Sequence, residues 1–250
     1  MNPNLIINRG ANVAQNKNIV LVMGKPNSGK TSSLRNLDQS KMVYLNTDLK
    51  EAPFKDQFLA NAEIADAMHI LNYIQEIENN PKATGAIVDT LTFLMSMYER
   101  QYVTTATNTQ SAWGNYGNFY REFIHAIKSG TKDYAILAHE DSFLNEQSML
   151  MESRVPIKGA VGKTGCEADF TTILSSKQIP IKKLEGFEND LLHITDEERE
   201  DGVKYVFCTR ITKEFIGEKT RSPMGLWARN ELYIDNDLKQ VFDRLKEYYS

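Results

Sequence analysis

The octapeptide Gly24-Lys25-Pro26-Asn27-Ser28-Gly29-Lys30-Thr31 fits G-x-x-x-x-G-K-[ST] without a gap, and no other stretch constrains the fold as much. A loop of this kind wraps phosphate oxygens with backbone N–H groups and needs a buried strand before it and a helix after it. Ile19-Val20-Leu21-Val22-Met23 is a continuous apolar run, the pattern of a parallel strand buried on both faces. Thr31 to Leu37 is expected to begin the helix. The amides of Asn27 to Lys30 then face phosphate, while Gly24 and Gly29 permit the tight path. Lys30 reaches the outer phosphates and the Thr31 hydroxyl completes a magnesium shell. The predicted nucleotide site therefore runs from Gly24 through Lys25, Pro26, Asn27, Ser28, Gly29, Lys30 and Thr31 to Ser32, with ATP and Mg2+ as its ligands.

Strand and helix patterns alternate after the loop. Met42-Val43-Tyr44-Leu45 reads as a second strand ending in Asn46-Thr47-Asp48, and Gly85-Ala86-Ile87-Val88 as a third closing on Asp89-Thr90. Between them, Ile64, Ala67, Met68, Leu71, Ile74 and Ile77 have helical spacing over 62–79, stopped by Asn79-Asn80-Pro81. A helix is expected from Leu91 to Val103. Another carries Trp113, Tyr116, Phe119, Tyr120, Phe123 and Ile127, a stripe better suited to core or subunit interface than to base stacking. Tyr134 to Ala138 forms a fourth strand, ending in His139-Glu140-Asp141. This alternation predicts an α/β fold with a mostly parallel central sheet flanked by helices. Phe170–Leu174 and Lys204–Ile211 read as a strand pair around an acidic insertion or hairpin turn at 182–202. Asp235 or Asn236 is expected to cap a last helix. The economical division is a polar N-terminal segment, 1–18, and one domain, 19–250.

Asp89 stands at the end of a buried strand about 60 residues after the loop, where a carboxylate holds magnesium or its water. The alternative is an ordinary turn or N-cap aspartate. For orienting the attacking water, Asp48 is the first choice and Glu51 the reserve, each otherwise a solvated loop acid. His139 and Glu140 end a strand where a polar contact could sense the terminal phosphate, or where histidine simply hydrogen-bonds. "GAVGKTG", 159–165, is not a second phosphate loop, since only two residues separate Gly159 from Gly162. It reads as a mobile basic loop in which Lys158 and Lys163 could grip a phosphodiester backbone, or as plain surface. "GEKTRSPMG" places Lys219 and Arg221 in a turn-rich segment after Arg210 and Lys213. These cations suit transition-state charge on a neighbour's terminal phosphate, DNA contact or mere surface.

Composition removes several classes. The formal net charge of -4 offers no global basic field, so nucleic acid would need a local patch or one assembled by oligomerisation. Cys166 and Cys208 are too far apart in sequence to suggest zinc spacing or a disulfide framework and read as inert thiols. No apolar run is long enough to span a membrane and the N-terminus lacks a signal peptide's apolar core, which predicts a cytoplasmic protein without membrane partners.

Taken together, GKPNSGKT, AIVDT, AWGNYGNFYREF, AILAHE, VPIKGAVGK followed by EADF, and EKTRSPMG resemble the phage-encoded P-loop ATPases with a compact RecA-type core. Some members of that family are single-strand annealing recombinases. The resemblance covers 19–234. It implies a RecA-like P-loop NTPase fold, ATP and magnesium between subunits of a homo-oligomer, and single-stranded DNA as partner; annealing with or without a single-strand-binding protein as a further partner fits the sequence equally. It also implies that Asp48 activates water, that His139-Glu140 couples ATP to the DNA loops, and that the mobile loop spans Lys158 to Gly165. Lys213, Lys219 and Arg221 become the cations that reach a neighbour's nucleotide. The function so implied is a DNA-stimulated ATPase that anneals or pairs single strands. The alternatives are a P-loop phosphotransferase acting on a small molecule and a nucleotide-dependent protein scaffold.

Overall fold

The computed structural model describes residues 16–250; residues 1–15 of the expected N-terminal segment lie outside the described residues. The strands and helices follow in chain order. β1 (Ile19–Gly24), β2 (Met42–Asn46) and β3 (Ala60–Glu63) precede α1 (His69–Asn79), β4 (Gly85–Asp89), α2 (Leu91–Tyr98) and α3 (Thr109–Ser129). β5 (Asp133–His139) leads to the hairpin β6 (Asp141–Asn145) and β7 (Leu150–Arg154), then α4 (Gly159–Thr164) and β8 (Thr172–Pro180). The chain ends with α5 (Ile181–Leu184), α6 (Asp196–Asp201), β9 (Val203–Cys208), β10 (Tyr233–Asp235) and α7 (Leu238–Tyr249).

Eight strands form one sheet in the order β10-β9-β8-β1-β5-β4-β2-β3, parallel from β8 to β3, with β9 antiparallel to β8 and β10 to β9. The expected α/β class with a mostly parallel central sheet flanked by helices is the one observed. β1 shows why its sequence is apolar without alternation. Ile19, Leu21 and Met23 pack with α1, α2 and α3 on one face, and Val20 and Val22 pack with Leu34 and α7 on the other. Trp113, Tyr116, Phe119, Tyr120 and Phe123 serve the first of these cores, Trp113 at its half-buried margin. The two thiols are buried, and burial pushes Cys166 well up and Cys208 up to about 12, so both are inert. Among the described residues no helix is long and apolar enough to cross a membrane.

Several local expectations need correction. The helix after the loop is only a 3-10 turn, Thr31–Leu34, because serine hydroxyls compete for the backbone: Ser33 Oγ donates to Lys30 O at 2.5 Å. The helix expected over 62–79 begins at His69. Residues 60–63 instead add the edge strand β3 to β2, while Ile64 and Ala67 are buried in the connection. The helix expected to reach Val103 changes from α2 to a π turn over Glu99–Val103. The cap of α7 is Asp237, which accepts from the Lys239 N–H at 2.8 Å, because Asp235 is held by Lys204 and His193. The segment 159–165 is not the mobile loop expected. Gly159–Thr164 forms the six-residue α4, and a Cβ on Gly162 would lie 1.7 Å from Ile157 O. The strand pair around 182–202 is the antiparallel β8–β9 hairpin, whose insertion shields the β10 edge through Asp235 N–H to Leu191 O at 2.7 Å.

Candidate nucleotide site

The loop closes over the carboxyl end of β1, and its sequence follows from crowding. A Cβ on Gly24 would lie 2.3 Å from Ser28 Oγ and 2.7 Å from Ser176 O, so only glycine fits. Gly29 has φ +91°, and Asn27 has φ 61°, a left-handed conformation that asparagine tolerates. Lys30 is buried, and its Nζ donates to Gly24 O and Lys25 O, each at 2.9 Å. Because the following turn has four residues, the site relies on individual N–H groups more than on a helix macrodipole.

Asp89 ends β4 and is buried. Its Oδ2 accepts from Thr31 Oγ at 2.7 Å and from the Tyr44 hydroxyl at 2.8 Å. Thr47 fixes the following peptide: its Oγ accepts from the Thr90 N–H at 2.7 Å and donates to Thr90 O at 2.8 Å. Burial pushes the Asp89 carboxyl up and the Lys30 ammonium down, and their attraction partly offsets both shifts. The donor set tests the fit of a metal. A hydroxyl and a carboxylate are hard oxygen donors suited to Mg2+, and no cluster of three or more His, Cys, Asp or Glu among the described residues forms a complete protein cage. Such a pair fits a Mg2+ that would take its remaining ligands from phosphate oxygens and water.

Around this centre the other predicted residues separate. Asp48 is half-buried, accepts from the Lys50 N–H at 3.1 Å and lies 3.6 Å from Lys50 Nζ. Its charge helps raise Asp89, which places it within electrostatic reach of the centre. Glu51 is exposed. The His139 N–H donates to Thr92 Oγ at 2.9 Å, and its ring meets Phe93 edge-on at 5.2 Å. Burial and then the Lys30 charge lower its pKa, which favours neutral imidazole.

Glu140 donates its N–H to Gly24 O at 3.1 Å and, with Lys25 to Ser28, lines a cavity of about 740 Å³. The same cavity holds the ion pair Lys177–Glu218, with Lys177 Nζ 3.3 Å from the Phe215 ring centroid, and Lys213 on its wall. Burial, then the Glu218 charge, raise the Glu140 pKa. A carboxyl raised in the folded state adds stability below its unfolded value near 4.5 and loses it as pH rises through the folded value. Glu140→Gln, which stays neutral, therefore raises the melting temperature at pH 7–8 and leaves it unchanged near pH 4; a pH series of melting curves checks this.

Lys158 and Lys163 do not act side by side. Lys158 pairs with Glu99 at 2.8 Å and borders a cavity of about 200 Å³ with His139. Lys163 lines a separate cleft of about 470 Å³ with Arg154, Lys219 and Arg221. Within this chain Lys219 and Arg221 are not free fingers. Lys219 pairs with Glu152 at 3.0 Å, and Arg221 donates from Nε to Phe170 O at 2.9 Å and from Nη2 to Glu167 O. Three contributors escaped sequence reasoning: Tyr44, Lys177 and Glu218. A tyrosine inside an apolar strand is a signal that a buried hydroxyl needs a partner; the other two carry none.

Comparison with known proteins places the chain in a family. The structure is similar to a KaiC-like protein from the hyperthermophilic archaeon Pyrococcus horikoshii OT3, at 11% identity and a TM-score of 0.44, covering 81% of this chain and 82% of that one. It is also similar to the RadB recombinase, at 12% identity and a TM-score of 0.42, covering 66% and 77%. No curated protein matches the sequence. The family model described as "AAA domain" matches residues 16–164, more than half of the chain and all of the loop, Asp48, Asp89 and His139. The chain belongs to the AAA-domain family.

Proposed function

We propose that the protein is an ATPase that binds single-stranded DNA and uses the nucleotide to control that grip, in the manner of an annealing recombinase acting as a homo-oligomer. The observation that carries this reading is the placement of two anion-binding features either side of one short hairpin. The phosphate loop ends β1, and beyond β6–β7 the cleft collects Arg154, Lys163, Lys219 and Arg221 against Glu152 and Glu167. Four cations line the cleft against two carboxylates, and that excess of positive charge suits a phosphodiester backbone.

In this reading Lys30 and the loop amides hold the outer phosphates, and Thr31 and Asp89 hold the metal. Bound magnesium would neutralise charge developing on the phosphate oxygens. Asp48, steadied by the Lys50 amide, orients the attacking water. Glu140, bonded to Gly24 O, passes the state of the loop to the hairpin that borders the cleft. Fluorescence anisotropy of a labelled oligonucleotide tests the DNA limb. Binding should strengthen with a non-hydrolysable ATP analogue, fall with salt, and weaken in Lys163→Glu. Equal affinity of wild type and Lys163→Glu would remove the cleft from the DNA path.

A second reading is favoured by one observation. The 740 Å³ cavity directly beside the loop is large enough for a small phosphoryl acceptor. Product analysis separates the two: a phosphotransferase places the terminal phosphate on an acceptor, an ATPase releases it to water.

A further inference from the structure

Tyr205 of β9 lies against the phosphate loop although the two are far apart in sequence. A Cβ on Gly29 would come within 2.8 Å of its Cδ1, so the ring edge rests directly on the loop. The residue is nevertheless 38% exposed. Its hydroxyl accepts from Gln178 Nε2 at 2.5 Å, its partner across the β8–β9 register.

The surrounding bonds fix this side of the sheet to the loop. Asn236 Nδ2 donates to Ser176 Oγ at 2.9 Å, and Ser176 Oγ donates to Ser28 O at 2.7 Å. Arg35 Nη1 donates to Asn236 O at 2.8 Å and to Ser32 O at 3.0 Å. Both ends of the Ser28–Ser32 turn are thus tied to the β9–β10 edge, and Tyr205 is held in register with Gly29.

The direction of the bound nucleotide follows from Lys30. Its Nζ, which serves the outer phosphates, lies against the carbonyls of Gly24 and Lys25. The terminal phosphate therefore marks the Lys25 end of the loop, beside Glu140 and the 740 Å³ cavity. The nucleoside leaves at the opposite end, past Gly29 and Ser32. The exposed aromatic ring on that side is Tyr205.

We propose that Tyr205, oriented by Gln178, is the nucleobase platform of the site: the base stacks on its free face and the Gln178 amide fixes the ring. The inference rests on the nucleotide-binding reading of the loop and adds to it a contact for the base, whichever base it is. Stacking of a base on an aromatic ring is strong enough to be read as a change of about tenfold in affinity, and it tolerates different bases.

The test compares ATP with inorganic tripolyphosphate, which has the phosphates and no base, each titrated calorimetrically with magnesium into the full chain. Tyr205→Leu keeps apolar packing against Gly29 but removes the aromatic face. It should weaken ATP about tenfold and leave tripolyphosphate unchanged, and Tyr205→Phe should restore most of the ATP affinity. Parallel weakening of both ligands in Tyr205→Leu would make the ring a mere prop for Gly29 and overturn the proposal. Unchanged ATP affinity would overturn it equally. Wild-type protein that binds tripolyphosphate no more weakly than ATP would also sink the platform while sparing the loop. Wild-type protein that binds neither would remove the loop assignment itself, and the platform with it.

Discussion

Replacing Lys30 by alanine lowers phosphate release from ATP by about 100-fold or more, the scale set by deleting one preorganised donor to a developing anion. The ammonium is buried against two loop carbonyls and reaches no solvent-exposed partner that could substitute for it. Its loss leaves the loop otherwise intact, since Gly24 O retains the Glu140 N–H at 3.1 Å. The desolvation cost of the buried ammonium is removed with it, which offsets the two hydrogen bonds and the attraction to Asp89 that are lost, so the net effect on folding is small. Melting curves should therefore overlay those of the wild type while turnover falls by about 100-fold or more and ATP binding weakens. Turnover retained in Lys30→Ala would place the chemistry elsewhere.

Asp89→Asn is expected to be nearly as damaging to turnover, again about 100-fold, for a different reason. The amide oxygen can still accept from Thr31 and Tyr44, so the local fold survives. What disappears is the negative charge that, in the proposed function, would draw the metal. The carboxyl is pushed up by burial, so its ionised form is held in the fold against desolvation. A raised carboxyl contributes stability below its unfolded value near 3.8 and loses it as pH rises through its folded value. The neutral amide escapes that loss, so the variant melts at or above the wild-type temperature at neutral pH. A variant that is both inactive and less stable would instead make Asp89 a purely structural acceptor.

The parts of the site that were legible in sequence are those whose chemistry is contiguous or marks a strand end. Gly24 to Thr31 is one segment, and Asp89 closes an apolar run too short for anything but a buried strand. Tyr205, Lys177 and Glu218 were illegible because their meaning comes from pairing. Only the antiparallel register that sets Tyr205 opposite Gln178 brings that ring to Gly29. Lys158 and Lys163 are close in sequence and looked like one patch. The fold of α4 sends one to Glu99 and the other into the cleft with Arg154. Period alone also misled: Ile64 and Ala67 keep helical spacing with α1, yet they are buried from a connection that follows an edge strand. At Thr31 to Leu37 the serines decided against a full α-helix, a local preference that the apolar pattern does not record.

Coupling of the nucleotide site to DNA is read from phosphate release with ATP and magnesium, measured with and without a single-stranded oligonucleotide and with Lys30→Ala as the blank. Turnover should depend on Lys30 and rise when the strand is added. Lys30-dependent turnover that is indifferent to the strand would contradict the DNA limb and direct attention to a phosphoryl acceptor in the cavity beside the loop.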